Sequence, residues 1–563
     1  MREPETPPGP IVVSGPDAVS WDDEADVVIV GFGGAGAAAA IEARDRGADV
    51  LAIDRFDGGG ATSFSGGILY AGGTKHQAAS GFNDTPEEMF KYLRAENSPV
   101  RDDTLRRFCE GSNGDLEWLE ANGVPYGSNA YLEKTTHPPN GHWLYYSGNE
   151  KLPAFKAKAK PAPRGHRPLT PGQGGHLHYA KLRQSALAKG VRVLPHAPAT
   201  QLIVDTGGAV IGVEVNALPE ALWERHRAFY AVINPWRPFH GKRSERAVAD
   251  CNAFEQLVNS PRRIRAHGGV ILSAGGFIYN LDILRRHRDV LARNFTGLLR
   301  LGSLGCDGSG IELGRAAGGT TALMDHVFLG RSIAPPEAFV DGIIVNAKGE
   351  RFSSEDAYIS ALGEAISRQP DNGRAWLILD RASFWEGIKQ SLFPGAGRFW
   401  IWGAPALLNV LAGGTKRAET ARALAQKIKV DGAELERTLA TFNAAAASGT
   451  ADPLGKSPDR MRALAPPFYA VNVSLINQFG PTFAFTLGGL VVDEETGEVK
   501  RADGSVIRGL YAAGRSAVGL CSNSYMSGMS IADTVFSGRR AARDAVRKLN
   551  PQAAPQQSAS IAT

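Results

Sequence analysis

The chain has 563 residues, of which 43% are hydrophobic and 21% charged, with a formal net charge of +4. That length supports several domains and a large core, and so mild a charge argues against a nucleic-acid or membrane-surface partner. Glycine stands out at 66 residues, where average usage of about 7% would give roughly 39, and there is no G-X-Y period to indicate collagen.

Residues 1–20 and 549–563, rich in Pro, Ser, Ala and Gln, read as flexible tails. Met1–Pro10 lacks the basic and apolar regions of a signal peptide. No apolar run approaches the roughly 18 residues of a membrane span. Cys109, Cys251, Cys306 and Cys521 are far apart and form no C-x-x-C pair, which fits a cytoplasmic protein without disulfides. Ala25–Val30 is an apolar run suited to a buried parallel strand. The glycine-rich turn Gly31–Gly36 follows it, then an alanine-rich helix, Ala37–Arg46, in which Glu42 and Arg46 are spaced to pair. Val50–Ile53 is a second strand, ending at Asp54.

Strand patterns recur at Val191–Leu194, Gln201–Val204, Val210–Val215 and Gly269–Ser273. Residues 216–262 break the rhythm with Trp223, Trp236, many arginines and a Pro-Trp-Arg-Pro turn. They read as an insertion on a hairpin, its arginines forming a solvated face or an oligomer contact. Residues 286–454 mix amphipathic helices (Ala418–Ile428, Glu434–Ala444) with short strands such as Gly342–Asn346, and read as a second domain. From Pro467 to Arg543 the strand, glycine-turn and helix pattern returns, so the first domain is expected to be discontinuous.

Gly31-x-Gly33-x-x-Gly36, set between a strand and a helix with Asp54 ending the next strand, is a dinucleotide signature. The first glycine makes the tight turn, the second lets a pyrophosphate approach the backbone, and the third lets helix and strand pack closely. Gly34 and Ala35 open the helix whose free N–H groups and dipole favour phosphate, and Asp54 is placed to accept from a ribose hydroxyl. A second glycine- and hydroxyl-rich loop follows at 58–67, with Gly60, Ala61, Thr62, Ser63, Ser65, Gly66 and Gly67. It suits a dinucleotide with a larger second head. Further glycine signals stand at Ala274-Gly275-Gly276 and Gly509–Gly514. His176-x-His178 has strand-like spacing but no third ligand, so no metal is expected.

Together with Asp307-Gly308-x-Gly310-Ile311 and Thr486-Leu487-Gly488-Gly489, these segments resemble FAD-dependent enzymes of the fumarate reductase/3-ketosteroid dehydrogenase superfamily, over residues 22–546. The resemblance implies an α/β fold: a discontinuous Rossmann-like FAD-binding domain (21–285, carrying the 216–262 insertion, and 455–548) with an inserted α+β substrate or cap domain at 286–454. It implies FAD in an extended pose, with the glycine loops, Asp54, Arg55, Gly514 and Arg515 contributing contacts. Gly528, Met529, Ser530 and Ile531 would begin a helix aimed at the flavin pyrimidine ring, where a helix N-terminus stabilises negative charge; Ser527 or Ser530 would also suit its cap. The 58–67 loop has no histidine for covalent attachment, so the FAD is expected to be noncovalent.

Fumarate-type members clamp a dicarboxylate with arginine and histidine. Here Arg351-Phe352-Ser353-Ser354-Glu355 keeps that motif only in part, no arginine follows it in Asp356–Ser360, and all 12 histidines lie at or before His326. The missing charges are replaced by Phe483, Phe485, Tyr358 and Asn523–Gly528, which suits an apolar substrate with one carbonyl. Desaturation beside a ketone needs a hydride acceptor, a base for the α-carbon proton and donors for the enolate-like oxygen. Tyr525-x-Ser527-Gly528, Phe536–Arg540 and Tyr358 resemble 3-ketosteroid Δ4-(5α)-dehydrogenases, whereas Δ1-dehydrogenases favour a glycine at the Ser527 position. The implied chemistry removes the carbon-4 proton at Tyr525, tuned by Ser527, with Tyr358 bonding within that network or to the ketone. FAD would take the carbon-5 hydride and pass electrons to an external acceptor. The alternatives are Δ1-desaturation, reduction of another α,β-unsaturated carbonyl compound, and an electron-transfer flavoprotein. Trp143–Tyr146 would roof the pocket or pack in the core, and Lys160–His166 would cover the site or form a surface turn.

Overall fold

The computed structural model describes residues 8–232, 241–258, 260–477 and 479–549. Its central sheet runs in the order Ile11–Val13, Ala199–Asp205, Val210–Asn216, Pro261–Leu272, Asp23–Val30, Val50–Ile53, Arg192–Leu194, and Val506–Ala512 also pairs with Pro261–Leu272. The inner strands are parallel, with Val27 beside Val50 and Gly269, and Leu510 beside Val270. Strands covered on both faces need continuous apolar runs rather than alternation. Val27, Val28 and Ile29 are accordingly fully buried, each contributing about 1.5–3 kcal/mol of hydrophobic stabilisation.

The helix after the first glycine turn, Gly34–Asp45, packs on the long C-terminal helix Met529–Leu549. A side chain on Gly538 would collide with the Ala35 carbonyl, so the alanines and Gly538 set how closely the helices meet. The expected Glu42–Arg46 pair forms at 3.0 Å. Glu42 also accepts from Arg539 and Arg543 of the C-terminal helix. Burial acts to raise its carboxyl, but the two arginines overcome this and hold it at about 2.

The N-terminal reading changes in part. Ile11–Val13 is a strand parallel to Ala199–Asp205, and Trp21 Nε1 donates to the Pro16 carbonyl at 2.8 Å. A short β-branched run, Ile-Val-Val, finds an open sheet edge, so the segment from Ile11 is structured rather than a free tail. Leu549 closes the C-terminal helix, and 550–563 lie outside the described residues.

The 216–262 segment is an insertion on a hairpin, since Val210–Asn216 and Pro261–Leu272 pair antiparallel. It folds as two helices, Trp223–Val232 and Gly241–Leu257; the Pro235–Pro238 turn and Trp236 lie outside the described residues. The second sheet pairs Ile343–Asn346, Ala375–Leu379, Phe468–Asn472 and Lys416–Ala418 antiparallel. Helices Ala421–Ile428 and Gly432–Ser448 pack on it. Phe468–Asn472 lies beyond the boundary read at 454/455, so this sheet draws chain from both sides of it. A small separate sheet is formed by Leu299–Arg300, Phe483–Thr486 and Val327–Gly330. Another, Leu69–Tyr70, Gly165–His166, Leu144–Tyr145 and Ala130–Tyr131, flanks the site described next.

Candidate active site

One cavity of about 740 Å³ runs from the glycine turn at Gly31–Ala35 to Tyr358, Tyr525 and Trp402. At its first end the three glycines do separate jobs. Gly31 has φ +100°, and a Cβ there would stand 2.6 Å from Ala274 Cα. Gly33 would meet nothing closer than 3.7 Å, so its open side is free for a close-approaching ligand. A side chain on Gly36 would collide with the Gly31 carbonyl, and Gly36 itself does not border the cavity. Gly33 offers no side-chain cap, and although Gly34 N donates to Thr62 Oγ1 at 3.2 Å, Ala35 N in the same first turn is left to an anion.

Asp54 stands in the cavity wall, where it was expected, and has a bracing role as well. Its Oδ2 accepts from Phe32 N and its Oδ1 from Phe56 N, both at 2.8 Å, and burial raises its carboxyl. It braces the glycine turn against the next loop, at the cavity wall. Arg55, Gly60, Ala61, Thr62, Ser65, Gly66, Gly67, Ala274, Gly275, Gly514 and Arg515 also line the cavity. Ser63 and Gly276 do not: Ser63 Oγ lies over Gly59, and Gly276 packs on Thr486 Oγ1. The helix Met529–Leu549 starts at the cavity, with Gly528, Ser530 and Ile531 in the wall, while the Met529 side chain is buried in the core. Extended lining, a glycine-lined helix start facing it and a second helix start further along together fit a dinucleotide flavin.

At the other end Tyr358, Tyr525 and Ser527 come together. Tyr525 sits edge-on to Phe328 and Phe485, with centroids 5.0 and 4.9 Å away. Tyr145 joins them: its hydroxyl donates to Ser527 Oγ at 3.0 Å. Burial lifts all three phenols above their ordinary value; Ser527 opposes this at Tyr145 and Tyr358, and Arg515 opposes it at Tyr525. They are neutral hydrogen-bonding groups at pH 7. His137, also lining the cavity, is pushed well below its ordinary value by burial and by Arg167 and Arg398, so it is a neutral imidazole.

A strap of chain, residues 145–150, holds this group in place. Ser147 and Ser527 exchange two hydrogen bonds, Ser527 N to Ser147 O at 3.1 Å and Ser147 Oγ to Ser527 O at 2.9 Å. Asn149 Oδ1 accepts from Tyr358 N at 2.7 Å. Ser360 Oγ, on the second residue of the helix that Tyr358 caps, donates to the Tyr525 carbonyl at 2.7 Å. Beneath the strap, Glu150 accepts from Tyr70 and Gly148 N, and burial raises its carboxyl to about 7. Sequence reading left Tyr145 undecided between roof and core, and did not single out Ser147 or Asn149. Their only local signal is turn-forming chemistry, because what they hold lies more than 200 residues away.

Three motifs fall elsewhere. Lys160–His166 is neither a cover nor a surface turn: Arg164 is buried and bonds Asp84 at 2.6 Å, and His166 bonds Thr74. His176 and His178 lie on the helix Gly175–Ala188, not on a strand, with His178 buried and His176 exposed. They therefore do not share a face. Arg351, from the partly kept motif, is bound by Glu355 (2.7 Å) and by Asp452. It is not in the cavity wall.

Comparison with known proteins agrees with this geometry. Residues 26–531 match the family model described as FAD binding domain. The chain is 39% identical to 3-oxo-5-alpha-steroid 4-dehydrogenase of Comamonas testosteroni, over 89% of this chain and 94% of that protein. It is 27% identical to 3-oxosteroid 1-dehydrogenase of Mycolicibacterium smegmatis, over 92% and 97%. The crystal structure of 3-ketosteroid-delta4-(5alpha)-dehydrogenase from Rhodococcus jostii RHA1, in complex with 4-androstene-3,17-dione, superposes with a TM-score of 0.78 and 31% identity, covering 96% of this chain and 99% of that one. The chain therefore belongs to the FAD-binding-domain family, in the branch it shares with 3-oxo-5α-steroid 4-dehydrogenase, and FAD is its cofactor.

Proposed function

We propose that the protein desaturates a 3-ketosteroid between carbons 4 and 5. The observation that carries this reading is that Tyr358, Tyr525 and Ser527 meet at the end of the FAD cavity, backed by the buried Tyr145 and walled by Phe328, Phe483, Phe485 and Trp402. Such a chamber desolvates an apolar ring system and offers hydroxyl donors to a single ketone oxygen. The arginine expected after the motif for a dicarboxylate is missing from Asp356–Ser360, and Arg351 itself is engaged by Glu355 and Asp452 outside the cavity wall. The ligand in the Rhodococcus structure, 4-androstene-3,17-dione, belongs to the product class of such a reaction.

FAD, held along the glycine turn at Gly31–Ala35 and at the helix start Gly528–Ile531, would supply the hydride acceptor for carbon 5 and the route of electrons to an external acceptor. Tyr525 takes the carbon-4 proton. Tyr358 bonds the ketone oxygen, so that the electron pair left at carbon 4 is drawn toward it. Ser527 links Tyr358 to Tyr145, and that chain of hydroxyls steadies the developing negative charge. The absence of histidine from the 58–67 loop supports noncovalent FAD. Four free, buried cysteines support a reducing, cytoplasmic setting; among the described residues no helix is long and apolar enough to cross a membrane. Anaerobic mixing with a saturated 5α-3-ketosteroid tests the proposal. Flavin bleaching with a 4-ene product is expected, and a 1-ene product or no bleaching with any 3-ketosteroid overturns it.

A further inference from the structure

The two-helix insertion has no part in the tyrosine chamber, yet it reaches the same cavity. It leaves and rejoins the hairpin at one point, where Ala217 N donates to the Ser260 carbonyl at 2.9 Å. Asn216 fastens both sides: its Nδ2 donates to the carbonyls of Glu255 and Val258, and its Oδ1 accepts from Ser260 N. The end of the helix Gly241–Leu257 is thereby turned onto the cavity, where Asn252, Glu255 and Gln256 line the wall with Asp54 and Arg55.

Arg55 is the latch. Its Nε and Nη2 form a fork onto the two Glu255 oxygens at 2.7 and 2.9 Å, and Nη2 also reaches Asn252 Oδ1 at 2.6 Å. Its Nη1 bonds Asp307 Oδ2 at 2.7 Å. The other insertion helix contributes His226, whose Nε2 lies 2.7 Å from Glu255 Oε1 and whose ring stacks on Phe56 at 4.6 Å. His226, Cys251 and Glu255 are grouped closely enough for a metal, but the cation bound at Glu255 is the Arg55 guanidinium. The fork is mostly buried, with side-chain exposures of 13% for Arg55 and 12% for Glu255. A bidentate ion pair of this kind carries geometric specificity as well as energy.

This fork stands immediately after Asp54, at the end of the second parallel strand, where a Rossmann fold holds the adenosine ribose. Asp54 itself is already engaged by two backbone N–H groups. Asn252 and Gln256 of the insertion add polar side chains to the cavity wall at this same end.

We propose that the insertion is a clasp over the adenosine half of FAD, closed by the Arg55–Glu255 fork, with the side-chain amides of Asn252 and Gln256 facing the ribose and adenine. The inference rests on FAD as cofactor and is independent of the steroid assignment. It predicts slow FAD loss from the native holoenzyme and fast loss when the fork is cut. The test follows flavin fluorescence after dilution of holoenzyme, for the native chain, for Glu255→Ala, and for a chain in which residues 218–259 are replaced by an Asn-Gly turn. Glu255→Ala is expected to raise the FAD dissociation constant at least tenfold, with the circular dichroism spectrum unchanged. In reconstitution of apoprotein its affinity for FMN, which lacks the adenosine half, should stay within twofold of native. An FAD constant within twofold of native in Glu255→Ala overturns the clasp, as does equal weakening toward FAD and FMN. If the shortened chain does not fold, Glu255→Ala alone decides. Steroid turnover is not the readout, so failure of the steroid proposal leaves this result unaffected.

Discussion

The two ends of the cavity are built in opposite ways. The dinucleotide end is made of backbone: Gly31, Gly33 and Gly36 lie within six residues, and each does its work by lacking a side chain. The tyrosine end is made of side chains from three distant places: Tyr145 and Tyr358 meet at Ser527 and Tyr525 stands beside them, the group tied by the 145–150 strap. A cofactor shared by a whole family can be held by geometry common to many sequences. A particular ketone needs hydroxyls set within a few tenths of an ångström, and packing across domains supplies that placement.

Substitutions at the two ends should therefore separate cofactor retention from turnover. The largest effect is expected for Gly36→Val, whose side chain would collide with the Gly31 carbonyl. It should yield protein without FAD and with a lowered melting temperature, measured by the flavin-to-protein absorbance ratio and calorimetry; a normally loaded variant would break the contrast. Tyr525→Phe should retain full FAD while losing about 10³-fold in kcat, within the usual range for a positioned base.

The pH profile sharpens the same contrast. Burial raises the phenols, so the base form grows as pH rises through the neutral and alkaline range. The kcat/KM should climb toward tenfold per pH unit from pH 7 to 9, while FAD content stays level. Tyr145→Phe keeps the ring but removes the bond to Ser527. It should lower kcat about tenfold, equivalent to roughly 1.4 kcal/mol, without altering FAD binding.

The smallest effect concerns the strap. Glu150, raised to about 7 by burial, is neutral in the folded protein at low pH. Its contribution to stability is complete below the unfolded carboxylate value and is lost as pH rises through 7. The melting temperature should fall between pH 5 and 8, and Glu150→Gln should flatten that slope. An identical slope in the variant would remove Glu150 from the account.

Most of the central sheet was legible in the sequence, because apolar runs such as Val50–Ile53 reappear as strands with the same bounds. Tyr358, Tyr525 and Ser527 were legible as residues, since they stand in a recognisable pattern, and the cavity brings them together. Tyr145 was not, because nothing near residue 145 refers to residue 527. Asp54 was legible as an acid ending a strand, but its partners, Phe32 N and Phe56 N, depend on how two loops meet.

The sequence by itself determined the local features: the glycine turn, the strands and helices around it, the hairpin insertion, and which charges are missing from the substrate end. These follow from backbone conformation and hydrophobic periodicity, which act over a few residues. Only the tertiary structure decided that Phe468–Asn472 belongs to the inserted sheet, that Arg55 is engaged by Glu255 some 200 residues away, and that Tyr145 completes the hydroxyl group. Those are pairings between side chains or strand edges distant in the chain. Their partners are selected by packing and burial of the whole fold, and no local pattern records that selection.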